Sequence, residues 1–241
     1  MAHGTLVSSV VEKMLDDVIG GVWPPGSNLP SEAELSHHFE VSRMTIREAV
    51  RVLQTQGVFS ASPGHTHVVN PLERWTGIEP IMRAIAHEGD PEEGPLQLIG
   101  LRFILETGAA SLAAPRRTEG HLERMRESMS RMREASRLGD VPTVVSADLD
   151  FHTTIYEASG NRLLRPLMDP LTKLMREQRR QTSSIPLVQR HAIIHHGAIL
   201  EAITERDSEQ ARQAMADHIS QTEDDYIRYV LKKVRVLADE G

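Results

Sequence analysis

The segment LPSEAELSHHFEVSRMTIREAVRVLQTQGV, residues 29–58, leaves this chain little local freedom. Ser31 precedes Glu34 by three residues. Its hydroxyl can accept from the Glu34 N–H while the Glu34 carboxylate reaches back to the Ser31 N–H, which starts a helix. After Phe39, EVSR reads as a tight turn, and Ser42 is placed to cap a second helix over residues 43–56. On that helix Ile46, Ala49, Val50 and Leu53 are the core positions, and Gly57 stands where the helix should stop. Upstream, residues 7–21 carry a helical stripe of Val7, Val10, Val11, Met14, Leu15 and Val18, ended by Gly20-Gly21. WPPGSNLP, residues 23–30, is a rigid loop with three prolines. Downstream, VFSAS, PGH and THVV read as strand, turn and strand.

Helix, loop, helix, tight turn, helix and hairpin is the order of a winged helix-turn-helix, whose helix after the turn lies in the DNA major groove. Arg43, Arg47 and Arg51 fall at i, i+4 and i+8, one stripe opposite the core positions. Arginine pairs bidentately with guanine, and Ser42, Thr45 and the helix N-terminus can hold phosphate. The spacing alone fits a solvated face equally well. Residues 1–70 contain four basic side chains, Lys13 and the three arginines, against seven acids. A reader so poor in positive charge has weak non-specific affinity and needs two copies to bind well.

The remainder is expected to be almost entirely helical, making the fold mainly α. Aromatic residues are 4% of the 241, and long stretches follow helical rather than alternating periodicity. Residues 71–95, with four prolines and an acidic cluster at 88–93, read as a linker around a short helix. The periodicity then predicts helices near 96–114, 119–138, 142–159, 162–181, 187–205 and 208–234. Three parts result: a DNA-binding unit at 1–70, the linker at 71–95 and an all-helical unit at 96–241. No transmembrane helix is expected, and the acid at Glu12 with no basic run before it does not suit a signal peptide. With no cysteine, disulfides and thiolate metal sites are excluded. The expectation is a cytoplasmic protein without a membrane partner.

Within the helical part, Asp148 and His152 leave one face of a helix, four residues apart. Such a pair fits either a surface hydrogen bond or half of a metal site. His196, among Ile193, Ile199, Leu200 and Ile203, and His218, near Met215 and Ile219, lie on apolar faces of two further helices. Three histidines and a carboxylate suit a divalent transition metal inside a bundle, zinc first and nickel, manganese or iron after it. The other reading is a hydrogen-bonded buried network in an apolar core.

Residues 29–58 resemble the winged-helix domain of the GntR family of bacterial transcription regulators. The resemblance is carried by Pro25-Gly26, Leu29-Pro30-Ser31-Glu32, Leu35, Val41-Ser42-Arg43, Thr45, Arg47-Glu48-Ala49, Leu53 and Gly57. It implies DNA contacts from Arg43 and Arg47 and a minor-groove wing around Gly64, where His65 and His67 are candidate contacts. Two departures stand out: Ala33 replaces a frequent DNA-contacting arginine, and Thr66 stands where a second wing glycine is usual. LRFILETGAASLAA (101–114), ADLDFHTTIYEASGN (147–161), HGAILEAI (196–203) and AMADHI (214–219) resemble the helical FCD effector domain of the FadR-type subfamily. That likeness implies Asp148, His152, His196 and His218 as metal ligands, with His195 turned away. It also implies Arg102 as a grip for an effector carboxylate, the alternative for Arg102 being an ion pair with Glu106. Asn161 is expected to cap the following helix. The whole then reads as a homodimeric, ligand-responsive regulator of operator DNA, a repressor, sensing a small organic acid. The alternatives are a metal-dependent enzyme and a regulator whose metal is purely structural.

Overall fold

Capping decides where the N-terminal helices begin. In the computed structural model, which describes residues 2–61, 67–88 and 93–231, helix α1 spans Ala2–Ile19, α2 Glu32–His38 and α3 Arg43–Thr55. The Ser31 N–H donates to Glu34 Oε2 at 2.8 Å and the Glu34 N–H donates to Ser31 Oγ at 3.3 Å. Ser42 Oγ likewise accepts the Thr45 N–H at 3.2 Å. Gly57 ends α3 with φ of 75°, and a Cβ there would stand 2.5 Å from the Arg74 carbonyl oxygen. The position therefore excludes other side chains on both conformation and space.

Strands β1 (Phe59–Ala61) and β2 (His67–Val69) pair antiparallel, Phe59 opposite Val69 and Ala61 opposite His67. The proline loop lies along β2, with Leu29 N–H bonded to the His67 carbonyl and Val69 N–H to that of Ser27. The expected turn residues Gly64 and His65 lie outside the described residues. One core joins Val10, Met14 and Leu15 of α1 to Leu35, Ile46, Ala49, Val50, Leu53, Phe59 and Val69. Trp75 and Ala84 belong to the same core, Ala84 on α4 (Ile78–Glu88). The helix expected inside 71–95 is thus packed on the N-terminal unit. Contacts divide the chain into Met1–Gly94 and Pro95–Gly241.

The second unit comprises α5 (Glu93–Arg116), α6 (Glu119–Leu138), α7 (Val141–Ala158), α8 (Leu164–Ser183), α9 (Pro186–Thr204) and α10 (Ser208–Tyr226), followed by a π-helical turn at Ile227–Leu231. Pro115 was expected to break α5, yet the helix runs through it to Arg116. A proline so near a C-terminus forfeits little of the ladder. Asp207 caps α10 by accepting from the N–H groups of Glu209 and Gln210. Asn161 acts just ahead of α8, where its Oδ1 accepts the Leu163 N–H at 3.1 Å. By length and composition alone, Gly94–Arg116 is apolar enough to cross a membrane. Its buried face, however, holds Arg102 and Glu106 beside Ala109, Ala110, Ala113 and Ala114, the pattern of a core helix that lines a polar site.

Candidate functional site

In the N-terminal unit the α3 stripe is exposed as expected, with Arg43, Arg47 and Arg51 open to solvent. Two of the three are already paired. Arg47 donates from Nε and Nη2 to the two oxygens of Glu32, at 3.0 and 2.7 Å, and Arg51 donates to Glu48 at 2.8 Å. Arg43 makes no hydrogen bond or ion pair among the described residues. Thr45 departs from the expectation. It is 1% exposed, and its hydroxyl lies 2.9 Å from Ser42 Oγ. The two hydroxyls form a capping pair, which takes the Thr45 side chain off the surface and engages that of Ser42. Exposed Met44 occupies the outer face of the first turn instead.

The C-terminal unit gathers its polar groups inside. Asp148 and His152 lie one turn apart on the inner face of α7, between Ala147, Phe151 and Ile155. His196 projects from α9 beside Ile199 and Ile203, its ring stacked on Phe151 with centroids 4.6 Å apart. His218 projects from α10 beside Met215 and Ile219. One ligand atom from each of His152, His196 and His218 lies within 4.8 Å of the other two, and all three residues are buried. His152 Nε2 and His196 Nε2 are 3.1 Å apart. Asp148 Oδ1 is 3.4 Å from His196 Nε2 and 4.0 Å from His152 Nε2. His195 is outside the triad and partly exposed.

The two shortest of these separations, His152–His196 and Asp148–His196, suit a metal. Nitrogen and oxygen ligands of one zinc-sized ion stand roughly 3.0–3.5 Å apart. Burial, reinforced by neighbouring positive charge, holds the His196 and His218 imidazoles well below their usual pKa, so both are neutral and able to ligate. His196 Nδ1 and His218 Nε2 are buried without a hydrogen-bond partner, an unfavourable state that ligands or water relieve. Asp148 is also in contact with Arg179 of α8, through its other oxygen.

Beside the triad lies a second layer of charge. Arg102 donates from Nε to Glu106 Oε1 at 2.8 Å, both groups on α5 and fully buried. This is the ion pair weighed as the alternative for Arg102, and it leaves the Arg102 Nη2 unpartnered. Glu106 Oε2 lies 2.7 Å from His152 Nδ1, near enough to orient the ring although off the line of a good hydrogen bond. Burial raises the Glu106 pKa, but the charges of Arg102 and His152 outweigh it and hold the carboxyl well below its usual range. A carboxylate behind a ligating imidazole fixes its tautomer and strengthens it as a donor. Burial and then the Glu106 charge push the Tyr156 hydroxyl well above its ordinary value, so it stays protonated.

Glu106's role behind His152, Arg179 and Tyr156 were not legible as site residues. Arg179 sits within QRRQ with nothing to distinguish it from Arg180. Only its place on the stripe of Met168, Leu171 and Met175 turns it inward. Tyr156 could have been found at i+4 from His152, since both lie on the same buried face.

With the geometry in hand, the likeness to known proteins is extensive. Residues 6–69 match the family model described as bacterial regulatory proteins, gntR family, and residues 97–221 match that of the FCD domain. The chain is 32% identical over 209 residues to the HTH-type transcriptional regulator LutR of Bacillus subtilis, covering 85% of this chain and 93% of that one. It is 27% identical over 221 residues to the HTH-type transcriptional repressor NanR of Cronobacter sakazakii, covering 89% and 83%. Among solved structures, Lar, which controls the expression of the Listeria monocytogenes agr system, shares the fold with a TM-score of 0.63 at 20% identity. That match covers 92% of this chain and 97% of that one.

Proposed function

The chain belongs to the GntR family of bacterial regulatory proteins and carries an FCD domain together with its DNA-reading head, and from that premise we propose that it is a repressor whose operator affinity is set by a small organic acid held at the buried histidine site. The family is one of transcription regulators rather than enzymes. The reading extends that to the ligand and its anchor. It rests above all on one observation: two buried guanidiniums, Arg102 and Arg179, flank a histidine triad and retain unpartnered N–H groups at Arg102 Nη2 and at Arg179 Nε and Nη2.

Such a site is unsatisfied as it stands. Burial, and then the like charge of Arg102, pull the Arg179 pKa well below its ordinary value. An incoming carboxylate supplies the missing acceptors, and Arg102 offers a planar donor edge to it. When bound, a divalent metal would supply a second anchoring point for the acid's oxygens. Asp148, His152, His196 and His218 would hold that metal, and Glu106 keeps His152 in position. Four side chains from three helices, α7, α9 and α10, would hold such an ion, so its binding would be coupled to bundle packing. An effector shifts a two-state equilibrium only by its differential affinity for the states, and a ligand bridging α5 to the triad differs strongly between packings that hold or part those helices.

Repression is inferred from the relative NanR, a transcriptional repressor. Two copies on a two-fold operator follow from the low positive charge of the reading head, four basic residues against seven acids in residues 1–70. A duplex-release titration with acetate, lactate and succinate, before and after chelator treatment, tests the whole reading. Release by an acid that chelator abolishes supports it. Release indifferent to chelator makes the metal structural only, and chemical turnover of the acid would establish an enzyme.

A further inference from the structure

The Glu32–Arg47 pair is unlike the other ion pairs of the reading head. Arg51 and Glu48 sit one turn apart on one helix with a single N–H bonded. Arg47 instead reaches from α3 to the first residue of α2, fifteen positions away, and uses two nitrogens on two oxygens. Both partners are partly open to solvent, at 56% and 34% of their side-chain surface. A guanidinium has two bidentate edges. Glu32 occupies the Nε–Nη2 edge, and the Nη1 side remains free.

From this geometry we infer that Glu32 is a positioning residue for base readout: it clamps one edge of Arg47 so that the other is presented, pre-ordered, to a guanine in the major groove. The inference rests on the docking of α3 in the groove. Reading guanine takes two N–H groups aimed at O6 and N7, and an arginine already fixed in one rotamer loses less freedom on binding than a mobile one. The carboxylate also has a discriminating effect. The hydrogen bond from Arg47 first, against the opposing effect of burial, and then the positive charges of Arg47 and Arg43 hold it below the usual carboxylate range. A fixed negative charge at that point opposes loose association with phosphate while sparing the contact that Arg47 makes with a matching base.

The test uses the full chain, a duplex that it selects from a random pool, and an unrelated duplex of equal length. Glu32→Gln is expected to weaken binding to the selected duplex about three- to tenfold. Binding to the unrelated duplex should hold or tighten as a negative charge is lost, so the preference ratio falls at least severalfold. Glu32→Asp, which keeps the carboxylate, should retain more of the ratio than Gln does. In an Arg47→Ala background Glu32→Gln should lower the ratio much less, since only the repulsion of phosphate is then lost. A ratio unchanged or raised by Glu32→Gln, or lowered equally in the Arg47→Ala background, overturns the inference. Arg47→Ala that binds the selected duplex as tightly as the unaltered chain overturns the docking as well, so the two failures are told apart.

Discussion

Two arginine–glutamate pairs in this molecule have similar chemistry and opposite surroundings. Arg47–Glu32 spans α2 and α3 at the surface, while Arg102–Glu106 lies within α5 with 2% and 0% of its side-chain surface exposed. Water screens the first, so it adds little to stability, and Arg47 keeps its second edge open to solvent. The second cannot be parted without stranding a charge in the interior. The difference separates the two jobs of the chain. The reading head keeps its cations at the surface, and the helical unit keeps its own fixed in the interior.

Removing one partner of the buried pair is the most severe way to probe that contrast. Glu106→Ala leaves Arg102 uncompensated and is expected to cost roughly 3–5 kcal/mol in chemical denaturation. A loss below about 1 kcal/mol would mean that water reaches the pair, and the two pairs would no longer differ in kind. Next in size, His152→Ala combined with His196→Ala should strip purified protein of metal, read by elemental analysis; retained stoichiometric metal would refute the ligand set. Third, Arg47→Ala should lower affinity for a selected duplex roughly ten- to hundredfold while circular dichroism remains helical. Unchanged affinity at moderate salt would remove α3 from the groove.

Acid offers a graded probe of the interior. His196 and His218 have folded-state pKa values below the ordinary 6.5, so below that pH the unfolded chain takes up protons that the folded chain refuses. Stability of the metal-free protein should therefore be full above about pH 6.5 and decline as pH falls, with a slope approaching 1.4 kcal/mol per unit for each histidine. Glu106 adds a further loss below 4.5, where the unfolded carboxylate is protonated first. A flat profile between pH 7 and 5 would place these rings in contact with solvent. The smallest effect belongs to the surface: Glu48→Gln, which breaks the exposed pair with Arg51, should leave the denaturation midpoint unchanged within error.

What was legible in the sequence divides along the same line. Caps at Ser31 and Ser42 and the stop at Gly57 are local signals, each satisfied within a few residues, and they placed the helices closely. The four expected ligands could be singled out because they lie on apolar helix faces, where a polar side chain is conspicuous, and the structure brings them together. Thr45 was misplaced because a hydroxyl next to a recognition arginine looks like a phosphate donor, whereas it lies on the Ile46 and Ala49 side and pairs with Ser42. Arg179 went unnoticed for the opposite reason. It is one of many arginines on a polar helix end, and only packing of α8 on α7 brings it to Asp148.

In the proposed function the buried triad and its flanking guanidiniums report an acid to the DNA-reading head. Fluorescence anisotropy of a labelled selected duplex measures this directly, with acetate, lactate and succinate each titrated into the metal-loaded complex and into a chelator-treated one. At least one acid is expected to shift duplex affinity fivefold or more, the lower end of ordinary allosteric coupling, only when metal is present and not in Arg102→Ala. An acid that shifts affinity equally in the chelator-treated and Arg102→Ala proteins would contradict it.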